Sequence, residues 1–155
     1  EEDLLQIHHK ASTLGRPHIA AMMVRKGYVK SIQEAFHFYI GDDKRCFVPG
    51  EPFPVSEAIN VIHQAGGKAF LAHPHLYANS YLVKDVLQLP FNGIECFYGR
   101  SPSHQAKRWQ KMAKRKNLLM SGGSDFHGDA KPHISLGASW VNRELFDSIF
   151  ERNLI

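Results

Sequence analysis

Apolar residues near the start of the chain recur at the spacing of an α-helix. Ile19, Met22 and Met23 lie three and four positions apart, so one face of the predicted helix is apolar. Pro17 suits the first turn of that helix, and Gly27 suits the position after its end. The pattern therefore predicts a short amphipathic helix that begins near residue 17.

A second short helix is predicted after Ser31, which lies three positions before Glu34, the spacing of a capping box. Gly41 suits the end of this helix. We therefore expect residues 1–50 to form a small helical subdomain. Four turn-forming residues then interrupt the helical pattern: Pro49, Gly50, Pro52 and Pro54.

Residues 51–155 follow a different pattern, in which amphipathic helices alternate with short apolar strands. This alternation is typical of a parallel sheet covered by helices, so it predicts an α/β fold. Strands are predicted over residues 69–72, 93–98 and 118–121. Helices are predicted after a cap at Ser56, over residues 81–89 and 103–116, and after a cap at Asn142, over residues 143–152.

The composition is that of one globular domain, since 43% of the 155 residues are hydrophobic. No apolar run approaches the roughly 20 residues of a membrane-spanning helix, and the first residues lack the pattern of a signal peptide, so no membrane partner is expected. The two cysteines lack a paired-ligand spacing, which favours a reducing compartment, and we expect a cytoplasmic protein. The net charge of +4 suits an anionic substrate but is also common on ordinary surfaces.

Two motifs place metal-binding side chains directly after predicted strands. His73 follows the strand at 69–72, and Asp125 and His127 follow the strand at 118–121. Because the carboxyl ends of parallel strands meet at one edge of a sheet, we expect these three side chains to lie close together. Two imidazoles and a carboxylate suit Zn²⁺, Mn²⁺ or Fe²⁺. In the alternative interpretation, Asp125 only caps a turn and His73 fills a gap in the core.

Two further features bear on this site. Three glycines, Gly122, Gly123 and Gly128, are expected to form the turn that carries Asp125. Glu95, in the strand predicted beside them, either orients a metal ligand or is a polar residue at a strand pleat.

Four motifs, in this order, resemble the PHP family of metal-dependent phosphoesterases, named for its polymerase and histidinol phosphatase members. They are GRPHIA from residue 15, LAHP from residue 71, GIE from residue 93 and GGSDFHG from residue 122. The resemblance is closest to the branch that acts on nucleotide 3′,5′-bisphosphates and on the 5′ ends of short RNA. It implies a distorted (β/α)₇ barrel with up to three divalent metal ions, Mn, Fe or Zn, and it implies that His73, Asp125 and His127 are metal ligands.

The same resemblance implies that Arg16 and His18 have catalytic and substrate-binding roles, on a helical insertion that folds over the site. Arginine forms bidentate hydrogen bonds with phosphate, and the first turn of a helix attracts anions. Alternatively, Arg16 is a surface charge and His18 a helix-start residue. Arg100 and Ser124 are further candidates for substrate binding, although Ser124 equally suits a turn cap. His75 is a candidate proton donor but is better explained as a structural residue.

The sequence departs from the family pattern at its start. Members begin with a His-x-His strand, whereas here only the adjacent pair His8 and His9 precedes GRPHIA. We therefore expect the carboxyl-terminal portion of a member, with the insertion over residues 1–50, half of the barrel over residues 51–155, and a missing amino-terminal segment as partner. The expected activity is hydrolysis of phosphate from nucleotides or short RNA. The alternatives are an incomplete module that binds nucleic acid or protein, and a histidinol phosphatase.

The helix predicted over residues 103–116 has a basic face, because the chain carries no acidic residue between Cys96 and Ser124. This face either follows the phosphates of RNA or is the solvated outer face of a barrel helix. The second interpretation is favoured, since no aromatic residue lies among the charges. The basic face consists of Lys107, Lys111, Lys114 and Arg115, and the opposite face carries Ala106, Trp109 and Ala113.

Overall fold

The computed structural model describes residues 14–77, 80–99, 103–128 and 131–150. The chain divides into two compact units, Glu1–Pro52 and Phe53–Ile155. Each unit has its own cluster of buried apolar side chains. Among the helices of the described residues, none is both long and apolar enough to span a membrane.

The first unit contains two short helical segments. Helix α1, Arg16–Arg25, has Pro17 in its first turn and ends before Gly27, whose φ of 73° suits glycine. Helix α2, Ile32–Ala35, continues into a π-helical turn, Phe36–Ile40. Both predicted helices are thus confirmed, whereas the π-helical turn was not predicted.

The cap of α2 agrees with its sequence motif in part. Ser31 caps the helix as predicted, because its Oγ accepts a hydrogen bond from the backbone N–H of Glu34 at 3.1 Å. The Glu34 carboxylate departs from a standard capping box, since it accepts from the N–H of Lys30 and not from that of Ser31. The core of this unit is small and consists of Ala20, Val29, Ala35 and Ile40.

Three parallel strands form the sheet of the second unit within the described residues. Strand β1 is Phe70–Leu71, β2 is Gly93–Tyr98 and β3 is Leu119–Gly123, and they lie side by side in the order β1-β2-β3. Because all three run in the same direction, their carboxyl ends lie at one edge of the sheet. The predicted α/β class is confirmed.

Helices precede, connect and follow the strands. Their ranges are Val55–Gln64 for α3, Ser80–Val86 for α4, Ser103–Lys116 for α5 and Arg143–Phe150 for α6, and a 3₁₀ turn, Pro74–Leu76, follows β1. Helix α4 ends earlier than predicted, and α5 has the predicted bounds.

One of the two predicted caps in this unit is present. Asn142 caps α6, because its Oδ1 accepts a hydrogen bond from the N–H of Leu145 at 2.9 Å. The predicted cap at Ser56 is wrong: α3 already begins at Val55, directly after Pro54. Proline suits the start of a helix because its fixed φ is helical and its missing N–H is not needed there.

Gly122 and Gly123 lie inside β3 and not in a turn, which corrects the prediction. A Cβ on Gly122 would lie 2.5 Å from the Cβ and from the carbonyl oxygen of Phe97. Glycine is therefore required at position 122 by the close approach of the neighbouring strand. The turn after β3 instead has Asp125 and Gly128 in the left-handed conformation, each with φ of 56°.

The core of the second unit lies between the sheet and two helices. Ile94 and Cys96 of β2 are buried and pack in one cluster with Trp109 and Ala113 of α5. This packing confirms the predicted apolar face of α5. The remaining members of the cluster are Leu71, Val83 and Leu87.

The two cysteines should differ in reactivity. Burial, together with the nearby charge of Glu95, raises the pKa of the Cys96 thiol to about 12, whereas Cys46 is exposed. A thiol-specific reagent at pH 8 should therefore modify one cysteine in the native chain and two in the urea-unfolded chain. Cys46→Ser should abolish the native reaction. Rapid modification of both thiols in the native chain would contradict the burial of Cys96.

Candidate metal centre

The carboxyl edge of the sheet brings the three predicted metal ligands together. His73 follows the end of β1, and Asp125 follows the end of β3. The Nε2 atom of His73 lies 3.8 Å from Oδ1 of Asp125, and Nδ1 of His127 lies 3.4 Å from the same oxygen. Two donors bound to one tetrahedral metal lie about 3.4 Å apart, so the separation between Nε2 of His73 and Oδ1 of Asp125 is close to that of shared ligands.

Two of these residues have an unusual backbone conformation. His73 has φ of 47° and Asp125 has φ of 56°, both in the left-handed region that most residues avoid. The carboxylate of Glu95 helps to maintain the conformation of His73, because its Oε2 accepts a hydrogen bond from the backbone N–H of His73 at 2.8 Å. Such conformations cluster at functional sites, where surrounding contacts maintain them.

The carboxylate of Asp125 is largely buried, with 12% of the side chain exposed. Its Oδ2 accepts hydrogen bonds from the hydroxyl of Tyr98 at 2.8 Å and from Nζ of Lys131 at 2.5 Å. Burial raises the pKa of Asp125, but the hydrogen bonds from Lys131 and Tyr98, with the charges of Lys131 and His127, outweigh that effect and lower its pKa. The group is therefore ionised near neutral pH, as a metal ligand must be.

The imidazole of His127 is oriented by the backbone. Its Nδ1 lies 2.8 Å from the carbonyl oxygen of Asp125 and donates to it, which leaves Nε2 as the nitrogen with a free lone pair. Half of the side chain is exposed. The imidazole can therefore receive a ligand through Nε2 without breaking this hydrogen bond.

Two residues at this site were not assigned by sequence reasoning. Tyr98, the last residue of β2, packs its ring against His73 and His75, with centroids 5.6 and 4.3 Å away. Its place at the end of a central strand is the signal that could have identified it. Lys131 lies in a loop of ordinary composition, which gives no signal of a role at the site. Burial lowers the pKa of His75, more than the nearby carboxylates raise it, which agrees with a structural role.

The donor atoms fit a divalent metal in kind but do not form a complete set. Within the part of the chain that the structure describes, no group of three or more His, Cys, Asp or Glu side chains is arranged to hold a metal ion. Lys131 engages one oxygen of Asp125, and Oδ1 remains the oxygen closest to the two imidazoles. These residues therefore suit a shared ligand set to which further donors are added.

Ser124 and Arg100 are the two other residues predicted to bind substrate. Ser124 is buried, and a Cβ on Gly99 would lie 2.7 Å from its carbonyl oxygen, so the chain after β3 packs closely on the chain after β2. This close packing explains why position 99 is glycine. Arg100 lies outside the described residues, as do His8 and His9.

The first unit holds Arg16 and His18 at the start of α1. The Nη1 atom of Arg16 donates to Oδ1 of Asp42 at 2.6 Å and to the carbonyl oxygen of Ile40 at 3.3 Å. The backbone N–H of Gly15 donates to Nδ1 of His18 at 3.0 Å, so the proton of the neutral ring lies on Nε2. Both side chains are thus oriented by contacts within their own unit.

Sequence comparisons identify relatives over most of the chain, although no model of a known protein family matches it. The chain is 32% identical over 127 residues to the 5′-3′ exoribonuclease Rnm of Escherichia coli, a match that covers 79% of this chain and 43% of the relative. It is 31% identical over 129 residues to the 3′,5′-nucleoside bisphosphate phosphatase of Chromobacterium violaceum, covering 80% of this chain and 45% of the relative. The chain spans about half the length of the curated relatives it matches.

Structure comparison gives the same result. A crystal structure described as a metal-dependent phosphoesterase, from Bifidobacterium adolescentis, superimposes with a TM-score of 0.79 at 26% identity, over 96% of this chain and 54% of that one. An amidohydrolase from Chromobacterium violaceum, solved with bound sulfate and no metal, superimposes with a TM-score of 0.69, also at 26% identity, over 88% of this chain and 50% of that one. The chain is thus similar in sequence to proteins named as an exoribonuclease and a bisphosphate phosphatase, and in structure to one described as a metal-dependent phosphoesterase, which agrees with the resemblance of its motifs.

Proposed function

We propose that this chain is part of a divalent-metal-dependent phosphoesterase that removes phosphate from nucleoside 3′,5′-bisphosphates or from the 5′ ends of short RNA. The observation that carries the proposal is the convergence of His73, Asp125 and His127 at the carboxyl edge of the sheet. The relatives named as an exoribonuclease and as a bisphosphate phosphatase support the substrate class.

The chain, in this proposal, is the carboxyl-terminal part of a distorted (β/α)₇ barrel that works in a reducing compartment such as the cytoplasm. Residues 1–50 are a helical insertion, and residues 51–155 supply strands of the barrel. Further ligands of the candidate metal centre would come, in this proposal, from a segment outside these 155 residues. The half-length matches to relatives and solved structures agree with it.

His73, Asp125 and His127 would hold Mn²⁺, Fe²⁺ or Zn²⁺, up to three ions in the complete site. A bound divalent ion would lower the pKa of a coordinated water and neutralise charge on the phosphate. Lys131 and Tyr98 both donate hydrogen bonds to Oδ2 of Asp125, which keeps the carboxylate ionised and fixes its orientation. These contacts leave Oδ1 for the metal.

Arg16 and His18 bind the phosphate of the substrate in this proposal. Asp42 and Ile40 orient the guanidinium of Arg16, and Nε2 of His18 carries a proton that it can donate to a phosphate oxygen. Ser124 and Arg100 remain candidates for contacts with substrate.

Arg16→Ala should raise KM for a nucleoside bisphosphate about tenfold or more, because a charge-assisted hydrogen bond to phosphate is lost. The metal content and kcat should change little. Arg25→Ala is the matched control, since Arg25 lies on the same helix, is exposed and should not affect KM. If the two variants changed KM equally, Arg16 would be a surface charge and not a phosphate-binding residue.

The proposed function is tested by phosphate release in the presence of Mn²⁺ from three substrates: adenosine 3′,5′-bisphosphate, a 5′-phosphorylated RNA of a few nucleotides, and histidinol phosphate. The proposal expects release from the two nucleotide substrates and little from histidinol phosphate. Preference for histidinol phosphate would assign the protein to the other hydrolase class. Absence of release from all three would favour a binding module.

A further inference from the structure

A basic groove lies between α4 and α5, at a distance in sequence from the candidate metal residues. Its volume is about 990 Å³, and no acidic residue among the described residues lines it. The uncharged or weakly basic lining residues are Gln88, His104 and Met112. The cationic lining residues are Lys84, Lys107, Arg108, Lys111, Arg115 and Lys116.

Three of these cations are available to a ligand. Lys107, Lys111 and Arg115 are exposed, and none of them forms an ion pair within the described ranges. Lys116 is different, because its Nζ donates to the carbonyl oxygen of Leu87 at 3.0 Å and so ties the end of α5 to the end of α4. The side of α5 that lines the groove therefore carries several positive charges, and their summed potential attracts anions.

The groove leads towards the candidate metal centre. Arg108 lines both the groove and a small pocket that also contains His75 and Tyr77. The ring of His75 packs on Tyr98, whose hydroxyl donates to Asp125. Since α5 follows β2 in a parallel sheet, α5 begins at the carboxyl edge, and its basic face extends about 20 Å away from that edge.

We propose that this groove binds the phosphate backbone of single-stranded RNA whose 5′ end occupies the candidate metal centre; the proposal rests on the proposed function. Lysine and arginine side chains that neutralise successive phosphates release condensed counterions, which gives affinity without sequence preference. No Phe, Tyr or Trp side chain of the described residues lines the groove, so phosphate contacts and not base stacking would supply most of the affinity there. The groove would thereby give an RNA chain a higher affinity than a mononucleotide.

Binding of a 3′-labelled single-stranded RNA of about ten nucleotides, followed by fluorescence anisotropy at several salt concentrations, tests the proposal. A chelator is present throughout, so that hydrolysis does not contribute. The groove variant carries Lys107→Gln, Lys111→Gln and Arg115→Gln. The matched control carries Arg25→Gln, Lys30→Gln and Lys44→Gln, three exposed cations of the first unit, and therefore has the same net charge.

The groove variant should bind RNA at least about tenfold more weakly at low salt, and the slope of log affinity against log salt should fall by about 2, as expected for three lost phosphate contacts. The control should bind within about twofold of the unmodified chain. Unchanged binding by the groove variant, or equal weakening in both variants, would overturn the proposal. Competition by polyglutamate as strong as that by unlabelled RNA would also overturn it, because the groove would then accept any polyanion.

Hydrolysis provides an independent comparison. With Mn²⁺, the groove variant should have a higher KM for RNA and an unchanged KM for adenosine 3′,5′-bisphosphate, which has no further nucleotides to occupy the groove. If no substrate is hydrolysed by any form of the protein, the proposed function fails. The binding experiment in chelator still decides whether the groove holds RNA.

Discussion

Asp125→Asn should lower the affinity of the chain for Mn²⁺ by at least about 100-fold. Substitution of a residue that only hydrogen-bonds to a metal ligand already lowers metal affinity by about 10- to 100-fold, and Asp125 is proposed to be a ligand itself. The substitution removes the negative charge that faces His73 and His127 and keeps the size of the side chain. The fold should survive, because the amide oxygen can still accept a hydrogen bond from Tyr98. Lys131, which is partly exposed, can turn towards solvent. Mn²⁺ titration by calorimetry and the far-UV circular dichroism spectrum measure the two effects.

Asp43→Asn is the matched control for this variant. Asp43 is also an aspartate in the left-handed conformation, with φ of 60°, and it is exposed in the first unit. Asparagine tolerates that conformation, so the control makes the same chemical change without strain. Mn²⁺ affinity that falls equally in both variants would remove Asp125 from the proposed ligand set.

Ile94→Ala should lower the free energy of unfolding by about 3 kcal/mol, within the range of roughly 2–5 kcal/mol for such truncations in a packed core. Ile94 is 0% exposed and lies on the central strand, against residues of α4 and α5. A domain of this size is stable by about 5–15 kcal/mol, so the variant should unfold at a much lower urea concentration.

Leu136→Ala provides the comparison, because Leu136 is 78% exposed and its truncation leaves no cavity. Its free energy of unfolding should change by less than about 0.5 kcal/mol. If the two variants unfold at the same urea concentration, Ile94 is not at the centre of the core.

Much of the fold could be predicted from sequence because the helices and strands have strong periodicity. The strand at residues 93–98 and the helix at residues 103–116 have the predicted bounds. Errors arose where a residue has more than one physical role. Ser56 has the chemistry of a cap, but Pro54 determines where α3 begins. Gly122 was assigned to a turn because glycine favours turns, whereas its actual constraint is contact with Phe97 on the next strand, which local sequence does not reveal.

The candidate site was predictable to the extent that strand ends determine it. His73 and Asp125 follow strands, so the topology alone places them together. Lys131 could not be predicted, because its contact with Asp125 depends on the path of the loop between them. For Glu95, the sequence left open whether it orients a metal ligand or is a polar residue at a strand pleat. Its Oε2 accepts a hydrogen bond from the backbone N–H of His73 at 2.8 Å and lies 3.9 Å from Nε2 of the same residue. Contacts to backbone atoms leave little trace in a single sequence.

The central claim is that the carboxyl edge of the sheet binds a divalent metal through His73 and Asp125. An anomalous difference map from crystals of the protein soaked in Mn²⁺ tests it most directly. The account predicts a peak about 2.0–2.2 Å from Nε2 of His73 and from Oδ1 of Asp125. A map whose manganese peaks all lie elsewhere, with no peak at this edge, would contradict it.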